Sequence, residues 1–353
     1  MRRFKLAIIG CGRVSGMHAA AYARHPERLE VVAACDPDLG RAEQLASQFA
    51  GCRYYASVAD AAQGADWEVG VVCSPTPLHS QVVDELVVAG KHAFIEKPLA
   101  DNLAEAQRMV GACESGGTQL AVHQNFRYHY PFDLARSLIG AGRIGRVTTV
   151  LHRELLSRQD SGWRASTERH ALAVMGVHWL DGFRWMLAEE PVSVLCTLTS
   201  SPLIAARGET EVVLHARFAG GASVSYVESF SYPDPSLETN VIGEEGALRL
   251  SHAELREWHA QKAPGSDGQE SGGQVAEVSQ MDEVAHPNPA GSDKPVATFL
   301  ALDQFLQALE SGSEATNSGR DNLRTMAFLE AAYRSARLGR PVGLEPQASE
   351  LVP

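Results

Sequence analysis

Short, almost wholly apolar runs punctuate the first third of the chain: LAIIG (6–10), LEVVAAC (29–35), EVGVVC (68–73), HAFIE (92–96) and LAVH (120–123). They do not alternate apolar with polar residues, so they predict strands buried on both faces, as in a parallel sheet. Helical segments such as 80–89 and 103–114 lie between them, and repeated strand–helix units imply a doubly wound sheet. Beyond residue 123 the pattern changes. RVTTVLHREL (146–155), VSVLCTLTS (192–200), EVVLHARF (211–218) and ASVSYVESF (222–230) read as longer, partly alternating strands. The last two are joined by Ala-Gly-Gly at 219–221, a hairpin signal. An antiparallel sheet with one face covered by helices follows. Residues 261–295, rich in Gly, Ser, Pro and acids, read as a long loop, either a lid or a tolerated insertion.

The expected fold class is therefore α/β. A Rossmann-like domain with a doubly wound parallel sheet occupies 1–122, and an α+β domain with a large, mostly antiparallel sheet occupies 123–353. The last helices are free to pack back on the first domain. A length of 353 residues suits two domains better than one core. Hydrophobic content of 44% with 21% charged residues is that of a soluble globular protein. The formal net charge of −12 argues against a nucleic-acid partner, which needs a cationic face. Six cysteines are scattered without metal-ligand spacing, so no metal is expected, and a reducing cytoplasm suits them. The basic, then apolar N-terminus MRRFKLAIIGCG is too short in its apolar part for a signal peptide. No apolar run approaches the roughly 18 residues of a membrane span, so no membrane partner is expected.

Ligands of doubly wound sheets sit at the carboxyl ends of the strands, and polar chemistry collects there. The first strand ends in GCGRVSG, with Gly10, Gly12 and Gly16. Glycines allow a tight turn and close approach to a pyrophosphate. The helix that follows, opened by Arg13 and Val14, offers its N-terminus to the anion. The third glycine stands one place later than in GxGxxG, but Asp36 ends the second strand, where a carboxylate accepts from both ribose hydroxyls of an adenosine. It would also repel a 2′-phosphate. NAD is thus expected rather than NADP, with Arg41 the one nearby opposing feature. In CSPTPLH (73–79), Ser74 and Thr76 can hydrogen-bond a cofactor, and His79 either lines it or serves as a cap or packing residue. FIEKPL (94–99) places Glu96 and Lys97 at a strand end. There a lysine can hold a substrate oxygen, or the two form an exposed ion pair.

Taken together, GCGRVSG, Asp36, SPTPLH and above all Glu96-Lys97-Pro98 resemble the Gfo/Idh/MocA family of NAD(P)-dependent oxidoreductases of sugars, polyols and related compounds. The resemblance continues through NFRYHYP (125–131), LIGAGRIGRV (138–147), IGEEGALRL (242–250) and residues 318–342, nearly the whole chain. It implies that Lys97 contacts the reacting oxygen and Glu96 lies near the nicotinamide ribose. Asn125 and Arg127 would border nicotinamide and substrate. In that family the second sheet often pairs two subunits, so a homodimer or homotetramer is implied.

One further stretch, AVMGVHWLD (173–181), sets His178 and Asp181 in an apolar run. As a helix this run would be buried, with His178, Asp181 and Arg184 on one stripe and Asp181–Arg184 a possible ion pair. From the residues alone, His178 reads as a core histidine with a satisfied hydrogen bond. The resemblance instead makes it the histidine that faces Lys97 and serves proton transfer. That family commonly has an aspartate four residues earlier, where this chain has Val174. Upstream, Trp163, Arg164, Glu168 and His170 are candidates for holding the substrate. The reading is hydride transfer between nicotinamide and a hydroxyl or carbonyl carbon of a sugar-like compound. Without the aspartate the ketone-reducing direction is favoured, with a cationic lysine or imidazolium donating. Two alternatives differ in class: a redox-neutral NAD-dependent lyase or glycosidase, and a non-catalytic NAD-binding sensor.

Overall fold

The computed structural model describes residues 2–251, 253–260, 281–289 and 294–344. The chain forms two compact units. One comprises Met1–His129, Ala173–Asp181 and Gly291–Glu330, and the other Tyr130–Leu172, Gly182–Ala290 and Ala331–Pro353. Each draws on stretches distant in sequence.

The first unit opens with β1 (Phe4–Ile9), α1 (Arg13–Tyr22), β2 (Leu29–Cys35), α2 (Leu39–Ala46), β3 (Arg53–Tyr55) and α3 (Val58–Gly64). It continues with β4 (Val69–Val72), α4 (His79–Val88), β5 (His92–Ile95), α5 (Leu103–Ser115) and β6 (Leu120–Val122). The six strands are parallel, in the order β3-β2-β1-β4-β5-β6. All five apolar runs of the first third form strands. The sixth, β3, escapes sequence reading because it is three residues long, lies at the edge and carries no buried residue. Strand order reverses between β1 and β4, which opens a crevice at their carboxyl ends.

In the second unit, α6 (Tyr130–Gly140) is followed by β7 (Val147–Ser157) and the short α7 (Trp163–Ser166). A π-turn at Leu172–Gly176 leads directly into α8 (Val177–Leu187), and Ala173–Asp181 of this stretch count with the first unit. The second sheet uses β7 with β8 (Pro191–Thr199), β9 (Glu211–Phe218), β10 (Ser223–Ser229), β11 (Ser231–Gly243), β12 (Gly246–Leu250), β13 (Glu254–Ala260), β14 (Met281–Pro287) and β15 (Val342–Gly343). Its order is β14-β13-β12-β11-β7-β10-β9-β8-β15, and only the β7–β10 pair is parallel. On β7 the alternation is plain: Val150, His152 and Glu154 are buried, whereas Leu151 and Arg153 are exposed. Pro233 and Pro235 argue against a strand at β11. The pairing tolerates them through a register shift between Ser231 and Ser236.

The expected 261–295 loop needs correction at two places, the second being Lys294 and Pro295, which open a helix. Residues 281–287 pair with β13 as an edge strand, while 261–280 and 290–293 lie outside the described residues. Two long helices, α9 (Lys294–Ser311) and α10 (Gly319–Leu338), follow. Leu302, Phe305 and Leu306 of α9 join the buried core around β1, β2, β4 and β5. No helix among the described residues is long and apolar enough to cross a membrane.

Candidate active site

The glycine turn has the geometry of an anion cradle. Gly10 adopts φ +89, and a Cβ there would lie 2.7 Å from the Ser74 nitrogen. Only glycine lets the end of β1 approach the end of β4 so closely. At Gly12 and Gly16 a Cβ would meet nothing within 4 Å, so the turn faces open space. Gly12 caps α1 without a side-chain hydrogen bond, and no acid stands in the helix's first turn. Its N–H groups are left to an anion. Arg13 is exposed and Val14 half-buried at the same helix start.

Asp36 is fixed beside that turn. One carboxylate oxygen accepts from the Cys11 N–H at 2.8 Å and the other from the Asp38 N–H at 2.9 Å. Arg41 pairs with Asp38 at 3.1 Å, which partly neutralises the one cation that could invite a 2′-phosphate. Ser74 Oγ and Asn125 Oδ1 are buried without a hydrogen-bond partner among the described residues, and such groups call for a ligand. These features fit NAD.

At the end of β5, Glu96 is buried and Lys97 half-buried, in place of an exposed ion pair. Glu96 Oε1 lies 2.7 Å from His18 Nε2 and 2.7 Å from His123 Nδ1, while the other oxygen accepts the Lys97 N–H. Burial alone would raise the Glu96 pKa, but His123 and His18 hold it well below the usual carboxylate range. The ligating atoms of these three residues are close enough to hold a metal ion. At 2.7 Å, however, the nitrogen–oxygen contacts are hydrogen bonds, shorter than the edges of a metal coordination shell with bonds of about 2.0–2.1 Å. The Tyr22 hydroxyl completes the chain on His18 Nδ1 at 2.8 Å.

Lys97 Nζ donates to the Val174 carbonyl at 2.6 Å. His178, one turn beyond, is 5% exposed. Its ring stacks on Phe126 with centroids 4.0 Å apart and planes 7° from parallel, and its Nδ1 has no partner among the described residues. Burial, followed by the Lys97 charge, holds the imidazole neutral, well below its ordinary pKa. A neutral base is what the site presents.

Several expected roles are revised. Arg127 is not open to a substrate: it is 2% exposed. Its Nε and Nη2 clamp Asp181 at 2.6 Å each, Nη2 also meets Asp321 at 2.5 Å, and Nη1 donates to the Thr316 carbonyl. Asp181 thus answers Arg127 and the Thr325 hydroxyl, and Arg184 pairs with Glu190. His79 is buried between the carbonyls of Leu99 and Ser74, which is the packing role. Thr76 is buried at the head of a 3-10 turn.

Trp163, Arg164 and His170 belong to the second unit. The Arg164 guanidinium lies over the Trp163 ring. His170 is fully buried, its Nε2 3.1 Å from Asp160 and its backbone N–H donating to Glu209. It is a packing residue there, not an exposed substrate ligand. Burial would raise the Asp160 pKa, but hydrogen bonds from His170 and Arg158 keep it below the carboxylate range.

Sequence reading missed His18, His123 and Phe126. His123 stands directly after β6, so the strand-end rule was a sufficient signal. His18 lies four residues after Val14, on the face of α1 that continues from the glycine turn, a weaker one.

Residues 4–124 match the oxidoreductase family with an NAD-binding Rossmann fold, GFO/IDH/MocA, and residues 132–249 match the GFO/IDH/MocA C-terminal domain. The chain is 31% identical to a D-apiose dehydrogenase of Paraburkholderia graminis, over 99% of this chain and 92% of that one. It is 26% identical to an inositol 2-dehydrogenase of Rhizobium meliloti, over 96% and 99%. Among solved structures, the WlbA dehydrogenase of Bordetella pertussis, in complex with NADH and UDP-GlcNAcA, superposes with TM-score 0.82 at 25% identity. That match covers 98% of this chain and 99% of that one. The chain belongs to the GFO/IDH/MocA family of NAD-binding oxidoreductases.

Proposed function

We propose that the protein oxidises a hydroxyl-bearing carbon of a sugar, polyol or related small molecule with NAD. Lys97 binds the reacting oxygen and His178 takes its proton. The observation that carries this reading is a buried, neutral His178 beside the Lys97 ammonium. A nearby cation stabilises an oxygen that is losing its proton, and a neutral imidazole accepts that proton. When bound, oxidised NAD supplies the hydride acceptor. Gly10, Gly12 and the first turn of α1 would receive its pyrophosphate, and Asp36 its adenosine ribose. Ser74, Glu96 and Asn125 would border the nicotinamide half, and Trp163 and Arg164 are kept as substrate candidates.

The test follows nicotinamide absorbance over a panel of polyols, aldoses and their keto forms, for wild type and Lys97→Ala. Reduction of NAD by at least one polyol, lost in the variant, is expected. Unchanged activity in Lys97→Ala would overturn the assignment.

A homo-oligomer and a cytoplasmic location complete the proposal. Leu151, Leu195, Val213, Val227 and Ile242 stand exposed on the outward face of the second sheet. An apolar patch of this kind supports burial against a second copy. A Val213→Lys variant should sediment as a smaller species than wild type. The six cysteines, all free thiols, are consistent with a reducing compartment.

A further inference from the structure

One carboxylate oxygen just beyond β5 carries two imidazoles. A carboxylate oxygen only accepts, so His18 Nε2 and His123 Nδ1, each 2.7 Å from Glu96 Oε1, both donate an N–H to it. With its proton on Nε2, His18 takes the Tyr22 O–H on Nδ1 at 2.8 Å, which satisfies both ring nitrogens without a second proton. His123 is 1% exposed, its Nε2 has no partner among the described residues, and burial pulls its pKa below the ordinary value. Two neutral rings therefore hold one carboxylate, and the cluster keeps a net negative charge. Glu96 is buried, so water and salt screen that charge little.

Strand order decides which part of a dinucleotide meets it. Asp36 follows β2, the glycine turn follows β1, and Ser74, Glu96 and Asn125 stand just beyond β4, β5 and β6. An adenosine ribose on Asp36 and a pyrophosphate at α1 leave the β5 side of the crevice to the nicotinamide. The nicotinamide ring is a cation when oxidised and neutral when reduced, so a fixed charge treats the two forms unequally. The Lys97 ammonium, next in sequence, has the opposite sign to Glu96.

We infer that Glu96, hydrogen-bonded by His18 and His123, selects the oxidation state of the cofactor: its charge offsets that of Lys97 and favours oxidised NAD over NADH. This rests on the function proposed above and deepens it. The attraction exists for the oxidised ring and vanishes once the ring is reduced, so it draws in the reactant cofactor and does not retain the product. By linkage, the same difference lowers the reduction potential of the bound cofactor.

The test is binding, without turnover. Kd values for NAD and NADH, from calorimetric titration at pH 8, are compared in wild type, Glu96→Gln and Asp36→Asn. Gln keeps the shape and an acceptor for the imidazoles but carries no charge. Its Kd for NAD should rise at least about fivefold, while its Kd for NADH changes less than about twofold. Asp36→Asn, at the adenosine end, should weaken both forms by the same factor. A ratio of Kd values unchanged by Glu96→Gln, or equal weakening of both forms, overturns the inference.

Wild type gives a second reading that does not depend on a variant folding. With Glu96 offsetting Lys97, NAD should bind no more than about tenfold more weakly than NADH, and a larger preference for NADH overturns the inference as well. If the ratios behave as expected but no polyol reduces NAD, the proposed oxidation falls, while the role of Glu96 in choosing between the two forms stands.

Discussion

Glu228 of β10 lies directly opposite Glu154 of β7 in parallel register, and the two are 1% and 6% exposed. The Tyr226 hydroxyl donates to Glu228 Oε2, while Oε1 has no partner among the described residues. Burial, then the neighbouring Glu154, raises the Glu228 pKa well above its ordinary value. The folded protein therefore holds a proton that the unfolded chain releases above about pH 4.3. The stability from Glu228 is complete below that pH. It falls by about 1.4 kcal/mol per pH unit as pH rises, until the folded pKa is reached. The loss is therefore confined to the pH window between the unfolded and the raised folded pKa.

Glu228→Gln keeps the shape and the acceptor for Tyr226 but never ionises. Urea midpoints followed by circular dichroism, at fixed ionic strength, should show the variant gaining on wild type as pH rises above about 4.3, by up to about 1.4 kcal/mol per pH unit. The buried histidines cancel in this difference, since both proteins carry them. A difference that stays constant with pH would refute the reasoning. A plateau at higher pH would mark the folded pKa itself.

Other perturbations have equally definite outcomes. Arg127→Met removes the buried cation clamped on Asp181 and should lower stability by about 3–5 kcal/mol in the same denaturation assay. Gly10→Ala forces a Cβ to 2.7 Å from the Ser74 nitrogen at φ +89. It should reduce stability by about 1–3 kcal/mol and weaken NAD binding, both readable by thermal shift with and without NAD. Asp36→Ala removes a charged acceptor worth about 1.5–3 kcal/mol. Fluorescence titration should show the Kd for NAD rising about ten- to a hundredfold, with a smaller change for NADP. Two other groups set the acid limit of stability. His178 is held well below its ordinary pKa and His152 is lowered to about 3, both chiefly by burial. Each stays neutral while the unfolded chain binds a proton below about pH 6.5, so each should cost about 1 kcal/mol between pH 7 and 5.5. A His152→Phe variant, followed by urea midpoints, should lose that share of the acid sensitivity.

The parallel strands were legible because burial on both faces leaves an uninterrupted apolar run, as at 29–35 and 92–96. The hairpin at 219–221 was legible because its turn residues are local. Where local composition misleads, as with the prolines of β11 or the polar 281–287, strand formation depends on pairing with a partner that composition does not reveal.

The same division runs through the site. Local sequence was enough to place Gly10 in a tight turn after the first strand, Asp36 at the end of the second and Lys97 at the end of the fifth, since φ, cap and strand-end position are properties of a few consecutive residues. Which polar groups are used up is a matter of contacts between distant segments. Arg127 reads as a substrate ligand until Asp181 and Asp321 close on it. Glu96 reads as half of an ion pair until His18 and His123 surround it. Sequence alone left the neighbourhood of Val174 defined by a missing carboxylate, because a side chain is all a letter reports. The tertiary structure supplied a main-chain carbonyl instead, turned toward Lys97 by a widened helical turn. An apolar run like AVMG has no polar periodicity that could register such a turn.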